Sequence, residues 1–186
     1  DGETSVVLGA REGHAEVVSL LLDRSASIEA TNQQGSTSLL LGACWGHAEV
    51  VSLLLDRSAS VEATNQQGST LLLCSAWLGH VDVVSLLLDR SAAIEATDKD
   101  GYTSLLLGAR PGHAYVVSLL LDRSASIEAT NQQGSTSLLL GAGRGHAAVV
   151  SLLLDRSAAV EATKQHGATL PLSSPRQRHA YLVSLL

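Results

Sequence analysis

Residues 31–63 read TNQQGSTSLLLGACWGHAEVVSLLLDRSASVEA, and the same stretch returns at 130–162 with only four of 33 positions changed. Glycines recur at this interval along the chain, at Gly2, Gly35, Gly68, Gly101, Gly134 and Gly167. Histidines keep the same interval, at His14, His47, His80, His113, His146 and His179. Self-similarity at a fixed period of this length predicts a solenoid of stacked repeats.

Within one repeat, the order of residues predicts a polar turn followed by two short helices. Gly35 supplies the turn and Thr37 an N-cap, after which residues 39–43 form a short apolar helix. Residues 48–55 form a second helix that is apolar over most of its girth. Isolated helices of about eight residues are marginal because nucleation is costly, so stacking on neighbouring repeats must supply the missing burial. The polar run 32–35 between repeats is typical of a hairpin-like finger.

The repeat resembles the ankyrin repeat. The resemblance rests on Gly-x-Thr, a leucine-rich segment, Gly-His-x-Glu-Val-Val-x-Leu-Leu-Leu, a small-Ala pair and an Ala before the next turn. It implies an all-α ankyrin-repeat solenoid of stacked helix-turn-helix units with β-hairpin-like finger loops. The whole chain, 1–186, is then a single domain, with repeats at 1–30, 31–63, 64–96, 97–129 and 130–162 and a degenerate or truncated repeat at 163–186. Copies this similar fit either recent duplication or consensus-style engineering.

The sequence departs from the family pattern at two places in each repeat. Thr37-Ser38-Leu39-Leu40 and its copies stand where the family usually has Thr-Pro-Leu-His, and the missing proline removes about 0.4–1 kcal/mol of pre-organisation per repeat. Serines replace the family's glycine after the second helix, at Ser25, Ser58, Ser91, Ser124 and Ser157. If these serines adopt a left-handed conformation, each costs about 1–2 kcal/mol relative to glycine.

The sixth repeat departs further from the pattern. Pro171 and Pro175 fall within its first helix, and a proline in a helix interior costs about 3 kcal/mol. We expect residues 170–178 to be irregular and residues 180–186 to be helical. Both ends of the chain fall inside repeat elements, which fits either cuts through something longer or ends made by design.

Composition and charge exclude several classes of protein. The chain is 45% hydrophobic and 16% charged, too apolar for intrinsic disorder. No apolar run approaches the roughly 18 residues that span a bilayer, so we expect no membrane partner. The net charge of −6 follows from the repeated acidic residues, and without a basic stripe we expect no nucleic-acid partner. Two cysteines are too few for a disulfide framework, which favours an intracellular, cytoplasmic location.

The repeated histidines and acids predict no chemistry. Equivalent residues of adjacent helices lie about 8–10 Å apart, whereas zinc needs nitrogens at about 2.0–2.1 Å. We interpret the histidines as bonding backbone at the helix–helix turn, and the repeated acids as a solvated edge rather than a catalytic pair. His166 alone is out of phase, on the last finger, where a ligand or functional role is the alternative to a structural one. The glycine-rich run 141–145 lies at a helix end without a preceding strand, which argues against a nucleotide site. We therefore predict no enzyme, no cofactor and no metal.

Candidate binding residues are those where the copies disagree. The two positions before each Gly-His are the most divergent, and the resemblance puts them on the concave side beside finger positions that also vary. Trp, Tyr and Arg, which are enriched at binding hot spots, concentrate there. The predicted partner-binding residues are Cys44, Trp45, Trp77, Leu78, Lys99, Asp100, Tyr102, Arg110 and Arg144. The alternative is that the tryptophans only cover neighbouring helix ends.

The cysteines are predicted to face different ways. Cys74 sits on the apolar pattern of a first helix and is expected in the core, while Cys44 is expected to be more exposed. On this basis we expect no disulfide between them.

The sequence thus predicts a non-enzymatic scaffold that binds a protein partner through its concave face, by finger tips and first-helix ends. One alternative is a structural or self-associating array, in which a homodimer buries the tryptophan face. Another is a regulatory ankyrin segment of a larger multidomain protein.

Overall fold

A computed structural model describes residues 4–65 and 68–158 of the chain. Ten helices lie within these residues: α1 (Ser5–Arg11), α2 (Ala15–Asp23), α3 (Ser38–Cys44), α4 (Ala48–Asp56), α5 (Leu71–Leu78), α6 (Val81–Asp89), α7 (Ser104–Ala109), α8 (Ala114–Asp122), α9 (Ser137–Ala142) and α10 (Ala147–Asp155). Each of the first five repeats contributes one pair of consecutive helices. The expectations for the sixth repeat, including its irregular and helical segments and His166, lie outside the described residues.

The helices form two layers. Helices α1, α3, α5, α7 and α9, the first helices, pack against one another in chain order, and α2, α4, α6, α8 and α10, the second helices, form a parallel row. Contacts between successive first helices are denser than those between successive second helices. The array therefore curves with the first helices on the inner, concave side, as the resemblance implies.

Threonine caps and fingers explain where each first helix begins. The Thr37 hydroxyl accepts a hydrogen bond from the Leu40 amide at 3.2 Å. Each of the other four first helices is capped in the same way by the threonine that precedes it. In the finger, Asn32 Oδ1 accepts from the Ser36 amide at 2.9 Å, and an isolated antiparallel bridge joins Thr31 to Thr37. The predicted turn, cap and helix order is confirmed.

A continuous core of Leu, Val and Ala runs through the stack from Val6 to Ala158. Leu39, Leu54 and Val51 are fully buried in the second repeat, and their copies repeat this pattern along the array. Leu40, which stands where the family usually has histidine, is also buried and extends this apolar packing. Because each layer of side chains is shared by two repeats, no repeat buries its apolar surface alone.

The serine that replaces the family's proline has an energetic consequence. Ser38 is fully buried at the first position of α3, and its hydroxyl has no hydrogen-bond partner, as is also true of Ser137. The copy in α7, Ser104, instead donates to the Ile94 carbonyl at 3.2 Å. A buried, unpaired hydroxyl costs about 1–3 kcal/mol, so this departure weakens the second and fifth repeats twice over.

The serines after the second helices adopt the left-handed backbone conformation. The condition under which they cost stability relative to glycine is therefore met. Ser25, Ser58, Ser91, Ser124 and Ser157 have φ between 64° and 70°. Side-chain atoms on Cβ are unfavourable there, and glycine carries no such cost. Each repeat therefore stores strain at the end of its second helix.

A ladder of charged groups joins the repeats along the second helices. Arginines from one repeat pair with aspartates of the preceding repeat in Arg57–Asp23, Arg90–Asp56, Arg123–Asp89 and Arg156–Asp122, at 2.8–3.0 Å. Glutamates extend it, because Glu62 accepts a hydrogen bond from the Ala93 amide at 2.8 Å and Glu95 from the Ser126 amide at 2.7 Å. The pairs are partly exposed and contribute little singly. They show that the repeated charges link neighbouring repeats, where the sequence predicted only a solvated edge.

We predict that Ser58→Gly stabilises the protein. Relief of the left-handed strain at φ 69° should raise the free energy of unfolding by about 1 kcal/mol, measured by urea denaturation. Ser60→Gly is the matched control, because Ser60 is exposed nearby and does not have a positive φ. A control variant as stabilised as Ser58→Gly would contradict the explanation.

Candidate functional site

The repeated histidines hold the carboxyl ends of the first helices. His80 Nε2 bonds the Cys44 carbonyl at 2.9 Å, His113 Nε2 the Trp77 carbonyl at 3.0 Å, and His146 Nε2 the Arg110 carbonyl at 3.1 Å. Since a carbonyl can only accept, each ring must carry its proton on Nε2. The predicted backbone bond is confirmed, with the addition that the carbonyl belongs to the preceding repeat.

A glycine beneath each ring makes this contact possible. Gly46 has φ +79°, and a Cβ built on it would lie 2.6 Å from His80 Nδ1. Gly13, Gly79 and Gly112 meet the next repeat's histidine in the same way. The repeated histidines and glycines therefore fix the backbone at Cys44, Trp77 and Arg110, whose side chains differ from repeat to repeat.

Three predicted site residues from two repeats come together on the concave side. The Arg110 guanidinium carbon lies 5.4 Å from the centre of the Trp77 ring and 5.5 Å from the centre of the Tyr102 ring. Tyr102 is only 9% exposed, and its hydroxyl donates to Gln133 Oε1 at 3.4 Å. Tyr102 therefore serves as a buried platform that holds the arginine against Trp77.

Large apolar side chains remain exposed beside this cluster. Trp45 is 60% exposed, Leu78 44% and Trp77 38%. Trp45 and Leu78 occupy the same repeat position, at the ends of α3 and α5. Trp77 follows Cys74 by three residues, so the two lie on the same face of α5. We call Cys44, Cys74, Trp45, Trp77, Leu78, Tyr102 and Arg110 together the Trp surface.

The expectation that the cysteines stay apart is wrong. Cys44 and Cys74 form a disulfide, with their Cα atoms 5.3 Å apart. Both cysteines are half-buried, so neither the predicted core position of Cys74 nor a clear difference in exposure is found. The reason lies in the packing of α3 against α5, which turns the last turn of one helix toward the middle of the next.

A signal for this pairing was present in the sequence. The cysteines are 30 residues apart, which is three less than the repeat of 33. That difference is about one helical turn, so it places the two residues on the same face of adjacent first helices. Cys74 also breaks its own register, because Leu8, Leu41, Leu107 and Leu140 stand at this position in the first, second, fourth and fifth repeats.

The remaining predicted residues lie apart from the Trp surface. Lys99 and Asp100 are exposed in a finger, where their carbonyls accept hydrogen bonds from Gln132 of the next finger at 2.7 and 3.1 Å. Arg144 is exposed just beyond α9, at the repeat position of Trp45.

Arg110 differs electrostatically from the repeated arginines. Arg57, Arg90, Arg123 and Arg156 each pair with an aspartate. Within residues 4–65 and 68–158, neither Arg110 nor Arg144 has a carboxylate partner. The Arg110 guanidinium lies over two aromatic rings instead, and within the described residues no carboxylate pairs with its N–H groups.

Two rows of short helices, capped fingers and the histidine contacts define a helical repeat solenoid. The family profile described as Ankyrin repeats (3 copies) matches residues 1–65, 53–131 and 72–164. The chain therefore belongs to the ankyrin repeat family, whose members generally act as protein–protein interaction modules and typically without catalysis. A search of curated proteins returns no match.

The described residues contain neither a membrane-spanning helix nor a cluster of metal-binding side chains. No helix among them is long and apolar enough to cross a membrane. No group of three or more His, Cys, Asp or Glu side chains among them could hold a metal ion. The Trp surface itself combines aromatic rings, a cation and a disulfide.

We predict that His113→Ala destabilises the array, because it leaves the Trp77 carbonyl without its partner and opens space above Gly79. The loss should be about 0.5–1.5 kcal/mol in urea denaturation, because water can reach this exposed carbonyl. His14→Ala is the matched control, because His14 begins α2 in the same way but has no preceding carbonyl partner in the described residues. Equal losses in the two variants would show that the inter-repeat bond contributes nothing.

Proposed function

We propose that this protein is a non-enzymatic interaction scaffold that binds a protein partner through the Trp surface on its concave side. The partner's anchor is an aromatic or large aliphatic side chain that packs on Trp45, Trp77 and Leu78. An acidic side chain next to that anchor pairs with Arg110, and Arg144 with the exposed finger residues Lys99 and Asp100 extends the contact. The proposal includes no cofactor, metal, nucleic acid or membrane.

The observation that carries this proposal is the arrangement of Arg110. A guanidinium held between two rings has already lost much of its side-chain freedom, so binding a carboxylate costs less ordering than it would for a mobile arginine. Trp77 beside it offers apolar contact area. Charge and apolar surface thus lie side by side, as they do at binding hot spots.

The exposure of the tryptophans supports binding over packing. Trp45 is 60% exposed, so covering a neighbouring helix end does not account for most of its surface. A partner that covers the ring recovers this area at about 25 cal/mol per Å². Trp77 serves both roles, because its ring also packs against Arg110.

The proposal extends to domain organisation and location. The chain forms one ankyrin domain with the repeat boundaries given above, and it acts in the cytoplasm. In the alternative function, this domain is a regulatory segment of a larger protein. The disulfide changes the basis for the location, because two cysteines that pair no longer argue for a reducing compartment.

We predict that random peptides displayed on phage and selected on the wild-type protein will be enriched for an aromatic or large aliphatic residue beside Asp or Glu. Synthetic copies of the enriched peptides should bind at micromolar Kd in titration calorimetry. The Trp45→Ala, Trp77→Ala double variant should lose at least about ten-fold in affinity, since hot-spot aromatics contribute 2 kcal/mol or more. Its helicity by circular dichroism should be unchanged.

Tyr115→Ala is the matched control for the double variant. Tyr115 lies on α8, in the row of second helices, and is 83% exposed, so removing its ring takes away an aromatic group from the other layer of the solenoid. Peptides that lose the same affinity with this control, or that are enriched equally on the double variant, would refute the proposed surface. A matching loss of stability in the double variant would favour the packing role.

We predict that Arg110→Gln weakens peptides carrying Asp or Glu by about ten-fold, the usual cost of losing a charge-assisted hydrogen bond. The same variant should barely affect versions of those peptides with Asn or Gln in place of the acid. Arg57→Gln, which removes an arginine of the Asp–Arg ladder, should leave both affinities unchanged. An equal effect of Arg110→Gln on acidic and neutral peptides would contradict a carboxylate contact.

Self-association is the alternative that the exposed tryptophans favour. Light scattering coupled to size exclusion over a wide concentration range separates the two functions. A monomer leaves the Trp surface open for a foreign partner. A dimer that the Trp45→Ala, Trp77→Ala variant converts to monomer would replace the proposed partner with a second copy of the chain.

A further inference from the structure

The Cys44–Cys74 disulfide is an exception in a chain built by repetition. At the position of Cys44 the other repeats have Arg11, Trp77, Arg110 and Gly143, and at the position of Cys74 they have leucines. A departure from the pattern at Cys74 thus meets, in one covalent bond, a cysteine at a position that varies from repeat to repeat. A bond created at the expense of the repeat pattern calls for a role that the other repeats do not have.

The stacking of the first helices does not require this bond. Helices α1 and α3, and α5 and α7, pack as closely as α3 and α5 do, yet no other disulfide joins first helices in the described residues. The core under the bond, with Leu39, Leu72 and Ala76 fully buried, continues on both sides of it. Breaking the bond therefore leaves the stacking contacts of the fold in place.

The bond also lies where small molecules can approach. Both cysteines are half-buried, and Cys44 packs against the edge of the core. Their exposed neighbours are Trp45, which follows Cys44 directly, and Trp77, one turn along α5 from Cys74. A disulfide that is partly accessible is more open to attack by a thiolate than one that is fully buried.

The bond links the two segments that carry the tryptophans. Trp45 directly follows Cys44 at the end of α3, and Trp77 lies one turn after Cys74 in α5. The disulfide therefore restricts the distance between the two halves of the apolar anchor site. Restricting a site in its binding arrangement raises affinity, because less ordering remains to be done on binding.

We propose that Cys44 and Cys74 form a thiol–disulfide exchange site that regulates the Trp surface, with glutathione-type thiols as its reactant class. This inference rests on the proposed function. In the disulfide state the surface is ordered for its protein partner. In the dithiol state the two tryptophans move independently and the partner is held more weakly.

The exchange balances with glutathione alone. A glutathione thiolate attacks one cysteine sulfur, the bond between Cys44 and Cys74 breaks, and the leaving cysteine thiolate takes up a proton. A second glutathione thiolate attacks the mixed disulfide and releases the other cysteine, which is protonated in turn. Two glutathione thiols thus become one glutathione disulfide, and two electrons and two protons pass to the protein. The reverse reaction uses glutathione disulfide as the oxidant.

The first experiment follows the exchange in the folded protein. The full chain is equilibrated, without denaturant, in buffers with varying ratios of reduced to oxidised glutathione, and the product is trapped by alkylation and weighed by mass spectrometry. We expect complete conversion between the disulfide and dithiol forms with unchanged helicity. A bond that is reduced only when denaturant unfolds the chain would overturn the proposal.

The second experiment uses the tryptophans as reporters, since Trp45 and Trp77 are the two tryptophans of the chain. Quenching of their fluorescence by acrylamide should increase in the dithiol form, and the enriched peptides should bind it about ten-fold more weakly. Identical quenching and identical affinity in the two forms would overturn the proposal.

A variant with Cys44→Gly and Cys74→Leu is the matched control. It installs the residues that the fifth repeat carries, Gly143 and Leu140, and so removes the thiols while keeping the array's own pattern. Its quenching and peptide affinity should not respond to glutathione. A response in this variant would assign the effect to another part of the chain.

The two proposals fail in different ways. If no peptide is enriched over the tryptophan double variant, the proposed function fails, while exchange and the quenching change still establish the redox site. If peptides bind the two forms equally well through the tryptophans, the proposed function stands and the regulation is refuted.

Discussion

No helix in the described part of this chain can stand alone. The ten helices there have six to nine residues, below the length at which a helix is stable in water. Each becomes stable only by burying its apolar faces against the helices of the repeats before and after it. The continuous core, the Asp–Arg ladder and the histidine bonds to the preceding repeat are all consequences of this one constraint, because each of them crosses a repeat boundary.

This constraint also decides which residues are left for function. The repeated leucines and valines fill the core, and the repeated arginines and histidines link neighbouring repeats. Residues that do not repeat make none of these recurring contacts, and several of them lie at the ends of the first helices. There the histidine of the next repeat holds their backbone, so a rigid scaffold presents a variable surface. Arg110 illustrates the difference, since rings hold it where carboxylates hold the repeated arginines.

The strained serines and unpaired hydroxyls show that the framework tolerates local losses. Ser58 in left-handed conformation and Ser38 without a hydrogen-bond partner each cost about 1 kcal/mol or more. The extra buried leucine at Leu40 offsets part of this through apolar burial. The left-handed serine recurs in each of the first five repeats, whereas the unpaired hydroxyl adds its cost only in the second and fifth.

The sequence by itself determined the period, the two helices of each repeat, the threonine caps, the finger turns and the role of the histidines. These features depend on contacts within one repeat or on a residue type that recurs at a constant interval, both of which a linear pattern displays. Family membership follows from the same pattern, and so does the candidate surface as a set of non-repeating positions.

The tertiary structure alone decided how these positions meet. It buried Tyr102 as a platform for Arg110, separated Lys99, Asp100 and Arg144 from the tryptophans, and joined Cys44 to Cys74 where the sequence predicted different facings. The physical reason is that the offset and rotation between adjacent first helices arise from side-chain packing across the repeat boundary. A one-turn offset between α3 and α5 brings two cysteines together, and that offset becomes fixed only when the core of the stack is packed.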